Sequence, residues 1–379
     1  MKKILTLIIV LAMALMFTGC GDDSAPVRTA KKEIVVACGK DDTGTIEDIM
    51  QEFTTASETT QVKLLDFSNE SVELHRVISS MLSGQEIQLD AMLIEDVWVG
   101  EFIKNNRLLP LGDAHSFDSG SYPNGIESFV GDEEKMYWHP IILDMGLMYC
   151  REDLTDEKPT FGELADGEKG TYTLQGADGE EMLCCALEFI NLTGSVRGGL
   201  ELYKRALDNS VSISGNYLMD FKDGKATYMR SWASDSRGLI SSYLPEVGAV
   251  GAELPVTNTG DCYATARAYG LAINRETKNA ENCFELLEYL KSDDAQIRIL
   301  KGMGTIPLKK KYYEDPMIVD SSNYIVSAGR LFDSFKFRPA REDYTFASRE
   351  ARTALNEYLV DDAALDMAVT AITNLTDRP

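Results

Sequence analysis

The residue types most often used in catalysis are present in this chain, but their spacing forms no catalytic or metal-binding pattern. The three histidines, His75, His115 and His139, lie far apart in the sequence. The seven cysteines include no Cys-x-x-Cys pair and no cysteine and histidine cluster with the spacing of a zinc site. The 61 acidic residues include no recognisable pair of general acid and base. The sequence therefore predicts no catalytic residue, no metal site and no cofactor.

One cysteine does lie in a reactive context. Cys20 follows a basic start, an apolar run over 4–17 and two small residues, which is the layout of a secretory signal. Residues 17–20, Phe-Thr-Gly-Cys, are similar to a bacterial lipobox, in which the cysteine is acylated and becomes the mature N-terminus. The alternatives are a signal peptide cut elsewhere and a membrane span, but the 14-residue run is shorter than a bilayer core requires. We therefore expect a signal peptide over 1–19, followed by a lipidated Cys20 and a tether over 20–32.

The bulk composition describes a globular, strongly acidic protein. The chain has 379 residues, of which 44% are hydrophobic, and this is enough for two domains of ordinary size. Its formal net charge is −24, so phosphate backbones and anionic lipid surfaces would repel the folded body. We expect no nucleic-acid partner, and we attribute the acidity to the solubility of an exposed protein. The six cysteines after Cys20 permit disulfides, but a chain of this length builds a core without them.

The elements that must position any site follow from the hydrophobic periodicity. Short apolar runs predict buried strands over 33–37, 62–67 and 89–94. Apolar residues three and four positions apart predict helices over 45–57, 72–82, 182–192, 199–209, 280–291, 348–360 and 365–375. The alternation of strands and helices predicts an α/β fold with a parallel, doubly wound sheet. In such sheets ligands bind beyond the carboxyl ends of the strands.

Several segments, by their order and spacing, resemble one family over residues 33–375. They are 89–111 (LDAMLIEDVWVGEFIKNNRLLPL), 140–154 (PIILDMGLMYCREDL), 159–164 (PTFGEL), 221–226 (FKDGKA) with Trp232, and 337–339 (FRP) with Tyr344. The family is that of bacterial extracellular solute-binding proteins of the sugar type, the maltose- and trehalose-binding receptors of ABC importers.

The resemblance implies a fold and a function. The fold is a two-lobe flytrap of the periplasmic-binding-protein type, each lobe a mainly parallel sheet flanked by helices, joined by crossing hinge strands. Lobe 1 would comprise 33–142 and 274–315, and lobe 2 would comprise 143–273 and 316–379. A monomeric receptor on the outer face of the cytoplasmic membrane, periplasmic if the cell has an outer membrane, would capture a mono- or oligosaccharide by hinge closure. It would deliver this ligand to the permease subunits, without chemistry on it.

The resemblance also implies which residues hold the ligand. A sugar needs acceptors for its hydroxyls and aromatic planes for its ring faces. Carried over to matching positions, the ligand contacts are Asp96, Trp98, Asp144, Trp232, Tyr269 and Arg338, with Lys40, Asp41, Trp138 and Arg267 as further candidates. Other roles stay open: Asp96 as a helix N-cap, Trp138 and Trp232 as core residues, Asp144 as a hinge residue bonded to backbone, and Arg338 as the ion-pair partner of one of these acids.

One departure from the family falls inside the expected site. Where the family commonly has Gly-Gly-Trp before its return crossover strand, this chain has Arg267, Ala268 and Tyr269. The stacking role would then pass to Tyr269, but the close backbone approach that glycine allows is lost. Arg267 would face an acidic group on the ligand. The site is thus expected to differ in shape from a maltose site.

Three other functions stay open at this point. The ligand could be a non-sugar solute such as a sugar acid, a polyamine or a peptide. The adjacent tyrosines Tyr312 and Tyr313 are similar to those with which some flytraps capture ferric iron, although packing along the hinge also accounts for them. A carbohydrate-cleaving enzyme is the remote alternative, because the chain is rich in carboxylates but pairs none of them suitably.

Overall fold

The computed structural model describes most of the chain after residue 29. The described residues are 30–84, 88–112, 118–132, 135–155, 157, 159–167, 171–174, 179–211, 217–235, 237, 250–253, 264–319, 325, 328–329, 332 and 335–377. The predicted signal peptide, Cys20 and most of the tether lie outside them. No helix in this part of the chain combines the length and the apolar content that crossing a membrane takes.

Nine of the described strands form one large sheet flanked by helices, and β4 and β5 pair in a separate two-stranded sheet. The strands are β1 (Lys32–Gly39), β2 (Thr60–Phe67), β3 (Ala91–Glu95), β4 (Gly131–Asp132), β5 (Lys135–Met136), β6 (Trp138–Arg151), β7 (Tyr172–Leu174), β8 (Tyr228–Trp232), β9 (Val250–Glu253), β10 (Thr265–Ile273) and β11 (Lys336–Phe337). The α-helices are α1 (Thr45–Ala56), α2 (Ser71–Ser83), α3 (Val99–Lys104), α4 (Glu127–Val130), α5 (Phe161–Asp166), α6 (Gly179–Thr193), α7 (Val196–Asn209), α8 (Tyr217–Lys222), α9 (Ala280–Lys291), α10 (Asp293–Met303), α11 (Pro316–Val319), α12 (Tyr344–Val360) and α13 (Leu365–Thr376). The three predicted strands and the seven predicted helices all form, within a few residues of the expected ends.

The order of strands in the sheet is β2-β1-β3-β10-β6-β8-β7, with β11 paired to β10 and β9 paired to β6. β1 runs parallel to β2 and β3, as the alternating pattern predicts. β10 runs antiparallel to both β3 and β6, and β6 runs antiparallel to β8. The sheet is therefore mixed, because β6 leads the chain out of the first half of the sheet and β10 leads it back.

β6 joins the two halves of the sheet. Its first residues pair with β10, and its last residues, from Gly146 to Arg151, pair with β8 and β9. All 14 of its residues are buried, and they are mostly apolar, with His139, Asp144 and Arg151 as the charged or titratable exceptions that need partners. We call the unit around β1–β3, with α1, α2, α9 and α10, the first lobe, and the unit around β7–β8, with α5–α8, α12 and α13, the second lobe.

The crossing strands lie unusually close to their neighbours at one glycine. A Cβ atom on Gly270 would lie 2.3 Å from the His139 carbonyl oxygen and 2.4 Å from the Trp138 ring. The Trp138 ring is fully buried there, and its Nε1 donates a hydrogen bond to the Ile94 carbonyl at 3.2 Å. Gly270 therefore gives Trp138 the room to connect the crossing strands to β3.

A buried group of charges, which we call the Arg338 cluster, connects the two lobes. The guanidinium of Arg338 donates to Glu95 at 2.7 Å and to Asp96 at 2.6 Å, both at the carboxyl end of β3. Its Nη1 also lies 3.4 Å from Glu180 in the first turn of α6, which accepts a hydrogen bond from Tyr344 of α12. The Arg338 side chain is 1% exposed. Elements of both lobes thus meet at a single desolvated cation.

We expect the replacement of Arg338 by Met to destabilise the fold strongly. The variant leaves the carboxylates of Glu95 and Asp96 buried without a cation, which costs about 3–5 kcal/mol of unfolding free energy. The matched control is Arg298→Met, since Arg298 is 44% exposed and pairs with Glu52, a surface pair worth roughly 0–1 kcal/mol. Urea unfolding at pH 7.5 measures both. A loss in the Arg338 variant no larger than in the control would contradict this interpretation.

His139, near the start of β6, is a buried titratable group. Burial lowers the pKa of His139 to about 4, against the hydrogen bond that its Nδ1 shares with the Pro140 carbonyl at 2.9 Å. The folded protein therefore holds a neutral imidazole, whereas the unfolded chain binds a proton near pH 6.5. Stability from this group is present above pH 6.5 and is lost as the pH falls towards 4.

We expect the variant His139→Gln to be less sensitive to acid than the parent protein. Between pH 7.5 and pH 4.5 the neutral histidine accounts for about 2–3 kcal/mol of the parent's loss of unfolding free energy, and glutamine has no proton to bind. Urea unfolding at half-unit pH intervals would resolve this difference in slope. Parallel stability curves for the two proteins over this range would show that His139 does not contribute.

Candidate functional site

A cavity of about 220 Å³ lies where the carboxyl ends of the first-lobe strands meet the crossing strands. This is where doubly wound sheets bind ligands. The first lobe contributes residues that follow β1 and β2, the crossing strands contribute their middle residues, and the second lobe contributes Ser234. The lining residues are Cys38, Gly39, Lys40, Asp41, Asp42, Thr43, Ile46, Asn69, Leu74, Leu93, Ile142, Asp144, Ser234, Arg267, Tyr269, Met303 and Thr305.

The lining combines apolar walls with a small number of polar groups. Leucine, isoleucine and methionine side chains form one part of the wall, beside the ring of Tyr269. Asn69, Ser234 and Thr305 offer neutral amide or hydroxyl groups, which both donate and accept hydrogen bonds. Such a surface suits a solute that carries several hydroxyls on a carbon skeleton.

Asp144 and Arg267 face each other across the two crossing strands at the cavity wall. Their residues are paired in the sheet register, and Arg267 Nη2 lies 3.0 Å from Asp144 Oδ2. Asp144 also accepts hydrogen bonds from the Ser234 backbone N–H at 3.2 Å and from the Ser234 hydroxyl at 2.8 Å. The carboxylate therefore connects the return strand to the second lobe. Asp144 therefore has the backbone partners that its alternative role as a hinge residue requires, and it also lines the cavity, where contact with the ligand stays a prediction.

Asp41 and Lys40 lie at the mouth of the cavity. Asp41 precedes α1, and its carboxylate accepts hydrogen bonds from the backbone N–H groups of Thr43 at 2.9 Å and of Ile46, in the first turn of the helix, at 3.0 Å. Such a carboxylate stabilises the helix start. The Lys40 side chain is 61% exposed and lies 3.6 Å from Asp42. Both candidates thus reach the cavity, with Asp41 held rigidly and Lys40 in solvent.

The two aromatic candidates near the cavity differ in their surroundings. Tyr269 is half-buried and lines the cavity directly. Trp232 is buried, and the guanidinium carbon of Arg267 lies 3.8 Å from its ring centroid. The guanidinium of Arg230 also lies over this ring, at 4.5 Å. Trp232 therefore stacks against arginine side chains and is not among the residues that line the cavity.

The remaining candidates, Asp96, Trp98, Trp138 and Arg338, do not line this cavity. Asp96 and Arg338 belong to the Arg338 cluster, where Asp96 also accepts from the Ala268 backbone N–H at 3.1 Å. Asp96 begins the 3₁₀ turn Asp96–Trp98 and not an α-helix. Trp98 is buried in the core with its ring edge-on to His75. Trp138 is fully buried, as described above. Its surroundings therefore match the alternative that it is a core residue.

The Cys38 thiol beside the cavity is held in its protonated, unreactive form. Burial, together with Asp66 and Asp41, raises the pKa of the Cys38 thiol to about 12, so the nucleophilic thiolate does not form near neutral pH. Across the described residues, no group of three or more His, Cys, Asp and Glu side chains is arranged to hold a metal ion.

The hydroxyl of Tyr312 donates to Asp293 at 2.7 Å, and that of Tyr313 donates to the Pro307 carbonyl at 2.8 Å. Both hydroxyls therefore have partners within the protein, which agrees with the packing alternative.

The sequence did not identify five polar residues of the cavity, namely Asp42 and Thr43, which follow the predicted Lys40 and Asp41, and Asn69, Ser234 and Thr305. Asn69 follows the second predicted strand by two residues, so the rule on carboxyl strand ends could have identified it. Ser234 and Thr305 carry no such signal, because they reach the cavity through the 3₁₀ turn after β8 and through the turn after α10.

Known proteins share both the sequence pattern and the architecture of this chain. A sequence profile described as bacterial extracellular solute-binding protein matches residues 48–324. A probable ABC transporter-binding protein of Deinococcus radiodurans is 22% identical over 325 residues, which are 74% of this chain and 76% of that protein. Among solved structures, maltose-bound MalE3 of T. maritima has a TM-score of 0.78 at 22% identity and covers 90% of this chain and 99% of its own. The GacH receptor of Streptomyces glaucescens has a TM-score of 0.77 at 17% identity, over 93% of this chain and 100% of its own.

The predicted two-lobe fold is confirmed by these structural matches, which cover both lobes and the crossing strands. The profile covers well over half of the chain, from α1 to the residues after α11. This protein belongs to the family of bacterial extracellular solute-binding proteins.

Proposed function

We propose that this protein is the receptor of an ABC importer, and that it captures a neutral carbohydrate or sugar alcohol in the cavity between its lobes. The observation that carries this proposal is the composition of the cavity wall. It combines an apolar surface and the Tyr269 ring with hydroxyl, amide and carboxylate groups, which together suit a hydroxylated carbon skeleton.

The electrostatics of the cavity favour a neutral ligand over an anionic one. Arg267 already lies 3.0 Å from Asp144 and 3.7 Å from Glu181, so its charge is balanced by the protein. Asp41 and Asp42 add negative charge at the mouth, against the exposed Lys40. A carboxylate on the ligand would therefore meet more repulsion than attraction. Arg267 is therefore better placed to pair with the protein's own carboxylates than to face an acidic group on the ligand.

The descriptions of similar proteins support the same ligand class. Structures with this fold are described in complex with maltose, with acarbose, with ribitol and with D-mannitol. The ligand of the present chain is inferred from its own cavity, because these proteins are less than 25% identical to it.

We further propose that the mature protein is tethered by lipid at Cys20 and delivers its ligand to the permease. In this proposal lobe 1 comprises 33–142 and 274–315, and lobe 2 comprises 143–273 and 316–379. The ligand would stabilise the closed arrangement of the lobes through contacts on both sides of the crossing strands. The tether would keep a monomeric receptor close to its transporter.

A thermal and chemical unfolding screen tests the ligand class. We expect a hexose or a hexitol at a hundredfold excess over its Kd to raise the unfolding free energy by about 2.7 kcal/mol. The variant Asn69→Ala should bind this ligand about 3- to 10-fold more weakly, since it loses a neutral hydrogen bond. The exposed Asn105→Ala is the matched control and should bind as the parent does. Stabilisation by a polyamine or a peptide, with no response to any sugar or polyol, would overturn the proposal.

The tether makes a separate prediction. In a bacterial host, the full chain should fractionate with the cytoplasmic membrane and incorporate a labelled fatty acid. The variant Cys20→Ala should lose the label and appear in the soluble extracellular or periplasmic fraction. Ser24→Ala, which leaves Cys20 and the preceding residues intact, is the control. Retention of the label in the Cys20 variant would refute lipidation at this site.

A further inference from the structure

Arg267 occupies the place next to the cavity where an aromatic face would otherwise be open. Its guanidinium carbon lies 3.8 Å from the Trp232 ring centroid and 5.7 Å from the Tyr269 ring centroid. A planar cation at the first distance covers the ring, as in other cation–π contacts. The Trp232 face that Arg267 covers is therefore closed to a sugar ring.

Arg267 is fixed in this position by its neighbours. It forms an ion pair with Asp144 on the adjacent strand, and Glu181 of α6 lies on its other side at 3.7 Å. The side chain is only 17% exposed, and its Nε atom is buried without a hydrogen-bond partner among the described residues. A side chain held by two carboxylates and a ring does not swing aside at little cost.

The small volume of the cavity agrees with the position of Arg267 over the Trp232 ring. At about 220 Å³ it is smaller than the roughly 300–1,000 Å³ of pockets that enclose drug-sized ligands, and a disaccharide falls in that class. One sugar ring or one open-chain polyol is the size of solute that remains.

We propose that Arg267 determines the size of the ligand: it covers Trp232 and restricts the cavity to a single sugar ring or one short polyol. This inference rests on the proposed function and deepens it. Removal of the guanidinium would open the space between the cavity and Trp232, and the exposed indole would then offer a stacking surface to a second ring.

The first arm of the test needs no ligand. The chain has three tryptophans, Trp98, Trp138 and Trp232, and all three are buried. Acrylamide should quench the fluorescence of Arg267→Ala more strongly than that of the parent. In Arg267→Ala/Trp232→Phe the extra quenching should be absent. Equal quenching of the parent and Arg267→Ala would overturn the claim that Arg267 covers Trp232, whatever the ligand is.

The second arm measures selectivity by calorimetry. The probes are D-glucose, D-mannose, D-mannitol, maltose and trehalose. We expect the parent to bind one of the single-unit probes and to discriminate against the disaccharides. Arg267→Ala should improve the affinity for a disaccharide, relative to the best single-unit probe, by about tenfold, the scale of one aromatic contact. Arg267→Lys keeps the charge beside Asp144 but lacks the planar group. The relative affinity of Arg267→Lys for a disaccharide should lie between those of the parent and Arg267→Ala. This variant also keeps the test usable if the alanine variant does not fold.

The outcomes separate the two proposals. Equal affinity of the parent for a disaccharide and its single units, or unchanged selectivity in both Arg267 variants, would overturn the role of Arg267 and leave carbohydrate capture intact. Binding of none of the probes by the parent, together with increased quenching in Arg267→Ala, would contradict carbohydrate capture but not the covering of Trp232.

Discussion

The structure depends on the pairing of arginine charges with carboxylates away from water. Three acidic residues of α6 lie against three arginines from different parts of the chain: Glu180 against Arg338, Glu181 against Arg267, and Glu188 against Arg230. The Glu188–Arg230 pair is the most enclosed, with a contact of 2.6 Å and side chains 0% and 1% exposed. An unpaired charge in either of the enclosed pairs, Glu188–Arg230 or Glu180–Arg338, would be costly, so these pairs specify where α6 lies relative to β8 and the segment after β11.

This pairing also shapes the cavity. Asp144 and Arg267 neutralise each other at its wall, which leaves hydroxyl, amide and apolar groups to meet the solute. Because Asp144 also holds Ser234 of the second lobe, the wall itself is a junction between the two lobes. A solute bound there touches groups whose relative positions depend on the angle between the lobes. That arrangement is what a receptor needs if binding is to be coupled to closure.

Much of the fold could be predicted from the sequence, because it follows from local periodicity. The buried face of α1 and the apolar run of β3, for example, are readable in a few residues. The residues of the candidate site were harder to predict. Asp96 and Trp98 follow a strand, as site residues do, but whether Asp96 meets a ligand or Arg338 depends on a residue 242 positions away. Trp232 and Arg267 likewise stack through tertiary packing that no local pattern contains. The strand-end rule led to Lys40 and Asp41, which line the cavity, and it would also have found Asn69.

The position of β10 has a consequence for the order in which the protein folds. This strand lies between β3 and β6 in the sheet, although more than 100 residues separate it from either one along the chain. The first lobe therefore lacks a central strand until residues 265–273 have been synthesised, and most of the second lobe precedes them. Contacts of such high sequence separation slow folding, because a long loop must close before they form. A chain of this design therefore stays incompletely folded while it emerges, at least until β10 has been synthesised.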